Sequence, residues 1–236
     1  MKAYVIKIAG QESGVERLKR SIKDFDCNVR LEIFDGTIPD TISQDLHTFK
    51  YYDGSKFRWT WPTDPSQNKI DMKSGLYKFY YEAANQQKKV ACTISHMRLW
   101  DKCVTDNEPM IILEADAIFS RRFNVEEVRG TTICGLNDPR GATRRAQDYH
   151  VQASYVSGAR PVPTVNRPDE PPMPQGIAGN SAYYITPEGA KAMLDLVTEH
   201  GAWPNDAIMC KELYPKLRQI YPYMTRVIVT ESTTTR

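Results

Sequence analysis

The chain has 236 residues, 41% hydrophobic and 25% charged, and a net charge of +2. That composition excludes general disorder and supplies the core of one α/β domain spanning 1–236, while the near-neutral balance argues neither for nor against a polyanionic partner. Five cysteines, an odd number with no C-x-x-C pair, make a poor disulfide framework and a poor zinc site; free thiols in a cytoplasmic protein are the expectation.

The opening MKAYVIKIAG is too short and too interrupted for a signal peptide, and its alternating β-branched core AYVIKI predicts a first strand. SGVERLKRSIKDF follows with Val15, Leu18, Ile22 and Phe25 at helical spacing, and VRLEIFDG reads as a second strand ending in a turn. Strand, helix and strand at this length predict a βαβ unit opening a parallel sheet. From about 47 to 75 the chain turns aromatic and polar; Trp59 and Trp61 either pin a surface loop or form a platform at a ligand site. Between Lys50 and Lys102 ten Lys/Arg face five Asp/Glu, an excess suited to an anionic ligand or to a solvated surface.

LYKFYYEAANQQKKVACTISHMRLWDKCVTDNEP predicts a helix, a break near Lys88–Lys89 and a second helix with Thr93, Met97, Trp100 and Val104 on its core stripe. PMIILEADAIF is the predicted central strand and TTICGL another buried one. Residues 158–176 hold six prolines and read as a long loop, part of a variable stretch at 137–175. SAYYITPEGAKAMLDLVTEHG predicts a strand and a helix bounded by Pro187 and Gly201; WPNDAIMCKELY a further helix; TRVIVTESTTTR a last strand and polar tail. No segment approaches the roughly 20 apolar residues of a membrane span.

Glu114 and Asp116 end the central strand, where ligands gather in open α/β sheets. On extended backbone residues i and i+2 share a side, so the two carboxylates converge with Ala115 facing away, a set of hard ligands suited to Mn²⁺ or Mg²⁺. The spacing alone equally suits a helix cap or an Arg partner.

VACTISHMRLWDKCVTDNEPMIILEADAIF resembles the signature of glycosyltransferase family 25, the lipooligosaccharide and collagen-type galactosyltransferases, with Ser95, His96, Leu99, Trp100, Leu113, Glu114 and Asp116 matching in order and spacing. The flanking YVIKIAGQESGVERLKRSI with FDG, and AGNSAYYITPEGAKAMLDLV with WPNDAIM, are similar to the family's terminal segments. Two positions depart from it: Ala115 replaces the first Asp of Leu-Glu-Asp-Asp, and Lys7 stands where Asn is usual.

The resemblance implies an α/β, GT-A-type nucleotide-binding fold with a mixed, mostly parallel central sheet flanked by helices. It implies transfer of a sugar from a nucleotide donor such as a UDP-hexose to a hydroxyl of a glycan or small acceptor, with inversion and with a metal held by Asp116 and Glu114. Asp206 is then base or further metal ligand, its alternative being helix capping. Lys7, Arg17, Asp35, His96 and Arg98 are the candidates for the donor pocket, and Asn180, Ser181 and Tyr183 for the acceptor side. Two other readings are a nucleic-acid base as acceptor, motivated by Arg140, Arg144 and Arg145 with the Trp59 loop, and a catalytically degenerate binding protein, motivated by Ala115.

Overall fold

A computed structural model of the chain describes residues 1–82, 85–140 and 145–228. In chain order the elements are β1 (Lys2–Lys7), α1 (Glu12–Asp24), β2 (Arg30–Asp35), α2 (Ile42–Leu46), β3 (Lys69–Ile70), β4 (Tyr77–Lys78) and α3 (Gln86–Asp106). They continue with β5 (Met110–Glu114), β6 (Ala117–Phe119), β7 (Ile133–Gly135), β8 (Asn137–Asp138), α4 (Ala146–Ala153) and β9 (Gly158–Pro161). Last come β10 (Ala182–Ile185), α5 (Pro187–His200), α6 (Asn205–Ile208), β11 (Leu217–Tyr221) and β12 (Thr225–Val227).

Seven strands form one sheet in the order β2-β1-β5-β10-β7-β11-β9. β2, β1, β5, β7 and β11 run one way, while β10 and β9 oppose them, so the sheet is mixed and flanked by helices. The βαβ unit forms as its periodicity predicts: Val15 and Leu18 bury the inner stripe of α1, while Phe25 lies past the helix end and stays exposed. α5 starts at Pro187 behind a Thr186 cap and stops at Gly201, whose φ of 79° suits a glycine.

Alternation along β5 divides the core into two layers. Met110 and Ile112 face α3 and α5 with Trp100, Met97, Met193 and Trp203, whereas Ile111 and Leu113 face α1 with Phe119, Phe123 and Met224. Glu114 continues the first set and so emerges beneath α3. Because β10 runs against β5, its start (Asn180 and Ser181) arrives at the edge where β1, β2 and β5 end, and the Glu114 N–H donates to the Ser181 carbonyl at 2.8 Å.

Several elements differ from expectation. α3 is one unbroken helix from Gln86, capped by Asn85, and the aromatic run before it pairs as β4 with β3 instead of forming a helix. The central strand stops at Glu114: Ala115 and Asp116 form a turn and the chain resumes as β6 in a separate three-stranded sheet. The proline-rich stretch begins as an edge strand, β9, where Pro161 needs no inward donor. α4 and β11 lie where no element is expected, and α6 is a single turn. The polar tail lies outside the described residues. No helix among the described residues is long and apolar enough to cross a membrane.

Candidate active site

The Ser95–His96 pair on α3 works in two directions. The Ser95 hydroxyl accepts from the Thr37 N–H at 2.8 Å and so fixes the turn after β2, where Gly36 donates to the Lys7 carbonyl and lets the chain pass closely over Ile6 and Ile8. His96, 0% exposed, faces the other way, with Nδ1 2.8 Å from the Tyr183 hydroxyl and Nε2 3.2 Å from Glu114 Oε1. Trp100 Nε1 also meets that hydroxyl, at 2.8 Å. An indole N–H only donates, so the Tyr183 oxygen accepts from it, and the Glu114 carboxylate only accepts, so Nε2 carries the ring hydrogen and Nδ1 of the neutral ring accepts the Tyr183 O–H. The imidazole proton is thereby assigned to Nε2, aimed at the carboxylate. This buried chain of Trp100, Tyr183 and His96 orients Glu114.

Three carboxylates and a thiol share the surrounding space. The Ser181 hydroxyl donates to Glu114 Oε2 at 3.4 Å and also favours the charged form of Asp116. Asp116 is nonetheless pushed up to about 7, first by burial and then by the Glu114 charge, and its Oδ1 is buried without a hydrogen-bond partner. Asp206 reaches solvent, yet the protein crowding its carboxyl and the Glu114 charge raise its pKa, against the pull of backbone N–H groups and His96. Burial, then Glu114, Asp206 and Asp116, drive the Cys92 thiol well above its ordinary range, so it sits here neutral, 3.7 Å from Asn205 Oδ1.

One cation lies beside this cluster. Lys89 is 4% exposed, donates to the Tyr81 carbonyl and has its ammonium 3.2 Å from the centroid of the Tyr81 ring. Burial lowers its pKa to about 8, opposed by the charge of Asp206. Lys89, Cys92 and His96 follow i, i+3, i+7 spacing and present one helix face. Neither Lys89 nor Cys92 stands out as a site residue in the sequence, although that spacing from His96 is a signal for both.

The residues fit a hard divalent cation. Converging carboxylates with an orphaned buried oxygen and a raised carboxyl are what a cation relieves, and Asp116 offers that oxygen. Among the described residues, the group whose ligand atoms all lie within 4.8 Å of one another is Cys92, His96 and Glu114, but His96 is committed at both nitrogens and the thiol is neutral, so a soft-metal site is the poorer match.

The remaining predicted residues divide. Lys7 and Asp35 end β1 and β2 on the same edge as Glu114; Lys7 pairs with Glu12 at 2.9 Å. Arg98 ties that edge together, 3.3 Å from Asp45 Oδ2 and donating to the Asp35 carbonyl and Thr37 hydroxyl. Arg17 lies on the exposed face of α1. Asn180 is buried with both side-chain polar atoms unpartnered. Tyr183, expected on the acceptor side, is 0% exposed with its hydroxyl engaged, so it acts only through His96. Asp206 is inside the first turn of α6, not its cap, which is Pro204. Glu114 and Asp116 converge through the turn rather than along an extended strand.

The Ala115 methyl is buried in the layer that faces α1, opposite His96. A side chain at this position therefore points away from the Glu114–His96 pair. Trp61 packs on Phe79 and Trp203 and pins the 47–75 loop to the core. Arg140 and Arg145 are neutralised by Asp138 and Glu170, which removes the main motive for a nucleic-acid acceptor; Arg144 lies outside the described residues.

Comparison with known proteins bears on the same elements. Among solved structures, galactosyltransferase LgtC in complex with donor and acceptor sugar analogues aligns at a TM-score of 0.44 with 8% identity, over 98% of this chain and 88% of that one. An active-site mutant of LgtC aligns at 0.42 with 10% identity, over 93% and 72%. No curated protein matches. The family model described as glycosyltransferase family 25 (LPS biosynthesis protein) matches residues 1–131, which run from β1 through α3 and the Glu114–Asp116 turn. The chain belongs to glycosyltransferase family 25.

Proposed function

We propose that this protein is a GT-A-type enzyme that transfers a hexose from a nucleotide-sugar donor, UDP-linked, to an acceptor hydroxyl on a glycan or other small molecule, with inversion at the anomeric carbon. The observation that carries this reading is the electrostatic crowding of Asp116 and Asp206 by Glu114, with Asp116 pushed up to about 7, at the edge where β1 and β5 end. Asp116 would hold Mn²⁺ or Mg²⁺ directly, with Glu114 in support, oriented by His96. The ion would supply positive charge to a departing diphosphate.

In the proposed reaction the acceptor oxygen attacks the anomeric carbon, the bond from that carbon to the donor diphosphate breaks, and the acceptor proton passes to Asp206. A raised pKa suits Asp206 to that role, since a base works best near the operating pH. Lys89 fits beside it as a cation toward the nucleotide phosphates. Lys7, Arg17, Asp35 and Arg98 are proposed along the donor pocket, and Asn180 and Ser181 at the sugar or acceptor. Placement of the Ala115 methyl away from this cluster supports an active enzyme over a degenerate relative.

The test is incubation with UDP-hexoses, an acceptor screen and Mn²⁺, with the product anomer read by NMR. Transfer with inversion, abolished by Asp206→Asn and Asp116→Asn, is the expected result. Transfer that survives Asp116→Asn overturns the metal assignment, and retention overturns the role of Asp206.

A further inference from the structure

Away from the carboxylate cluster, the loop of 47–75, β3, β4 and the end of α5 line an open cavity of about 320 Å³, at the lower end of the range of small-ligand sites. Its wall carries Arg58, Lys69, Lys73 and Lys78 against Asp71 and Glu199, an excess of two positive charges before His200 is counted.

The cavity is a built site. Lys78, 1% exposed, is held by Asp71 at 2.8 Å and by the Thr60 hydroxyl at 3.3 Å, with its ammonium 4.3 Å from the centroid of the Trp203 ring. Asp71 is fixed in turn by the Ser74 N–H and hydroxyl. The Thr60 N–H donates to the Ala202 carbonyl and the Ala202 N–H to the Arg58 carbonyl, and a side chain at Gly201 would collide with Thr60, so 58–60 and 200–202 form one rigid rim.

Two features favour an anion. His200 Nδ1 is buried without a hydrogen-bond partner, 3.9 Å from Asp71 Oδ2, while Nε2 lies 3.8 Å from Glu199 Oε1, and the residue lines the pocket. Arg58 and Lys69 make no ion pair or side-chain hydrogen bond among the described residues, and both press electrostatically on Lys78. The carbonyl end of α5 would oppose an anion, but the Glu199 carbonyl accepts from Lys73 at 2.8 Å and the His200 carbonyl from Thr60 at 2.9 Å.

We propose that this cavity binds a phosphoryl-type oxyanion, with Arg58 and Lys69 as its mobile donors and His200 and Lys78 as its fixed floor. The shared chemistry admits free phosphate or a phosphate monoester borne by a larger molecule.

Orthophosphate and methyl phosphate are each titrated into the ¹⁵N-labelled full chain at constant ionic strength set with chloride. Saturable shifts at the amides of Thr60, Asp71, Lys78 and His200 are expected, with affinity for the preferred ligand weakened at least about tenfold in Arg58→Gln/Lys69→Gln. Binding of both ligands identifies a monoester site, and binding of orthophosphate alone a free-ion site. Shifts that do not saturate, that survive the double substitution, or that centre on Glu114, Asp116 and Asp206 overturn the proposal. Donor binding by the double variant, measured in parallel, stays unchanged if the cavity is separate from the carboxylate cluster. Its failure alongside that of phosphate shows that the two are one site and overturns the proposal.

Discussion

Replacing Asp116 by Asn removes a charge that the metal-free protein holds at a cost. The carboxyl rises from 3.8 to about 7 on folding, through burial and then repulsion from Glu114. A raised carboxyl binds more protons folded than unfolded, so its contribution to stability is fully present below pH 3.8 and is lost as the pH climbs through about 7. Between pH 5 and pH 8 nearly two pH units of that slope apply, which sets an upper bound of about 3 kcal/mol. Asp116 is partly exposed, and solvent relaxation halves that to about 1.5 kcal/mol.

In EDTA, the Tm advantage of Asp116→Asn over the parent chain therefore grows by about 3–6 °C between pH 5 and pH 8. The gain is smaller at pH 5 and disappears only below pH 3.8, where the carboxyl is protonated in the folded and the unfolded chain alike. Differential scanning calorimetry of both proteins at the two pH values reads this directly. A difference unchanged between the two pH values refutes the crowding of Asp116 and Glu114.

Tyr183→Phe strands Trp100 Nε1 and His96 Nδ1 and is expected to cost about 1–3 kcal/mol in urea unfolding. It also lowers kcat more than it raises KM, because His96, which orients Glu114, loses its anchor. Lys89→Met removes a buried amine whose charge burial already disfavours; stability stays within about 1 kcal/mol of the parent while kcat/KM falls at least about tenfold, and an unchanged kcat/KM dismisses Lys89 from the site. Gly14→Ala drives a β-carbon into the Ala115 carbonyl and is expected to cost about 1–3 kcal/mol, with weaker Mn²⁺ binding by calorimetry as the turn shifts. The raised pKa of Asp206 places the acidic limb of the kcat/KM profile above the usual Asp range, and a limb near pH 4 removes it as the base.

Periodicity carries the first half of the fold well. β1, α1 and β2 follow from alternation in AYVIKI and from Val15 and Leu18, and β10 and α5 from their own pattern with Pro187 and Gly201. The run Tyr77–Tyr81 is ambiguous locally, and cross-strand pairing with Lys69 and Ile70 settles it. β9 and β11 are short and pair mainly with each other, which no local signal in GARP or LRQIY declares.

At the candidate site, Glu114, Asp116, His96 and Asp206 enter through the resemblance to the family's motifs, because the spacing of Glu114 and Asp116 alone equally suits a helix cap or an Arg partner. Lys89 and Cys92 are legible only once α3 is seen as unbroken. The turn at Ala115–Asp116 is set by contact with Gly14 on α1, which spacing along the strand does not reveal. The cationic cavity draws on 58–60, 69–73, 78 and 199–200, and only folding brings these together.

The central claim is that the carboxylate cluster holds a metal against a sugar nucleotide. Isothermal calorimetry of UDP-hexose binding, with Mn²⁺ and with EDTA, on the parent chain and on Asp116→Asn tests it most directly. Saturable binding that requires Mn²⁺ and disappears in Asp116→Asn is the predicted result. Binding that is equal in EDTA, or unchanged in the variant, contradicts the account.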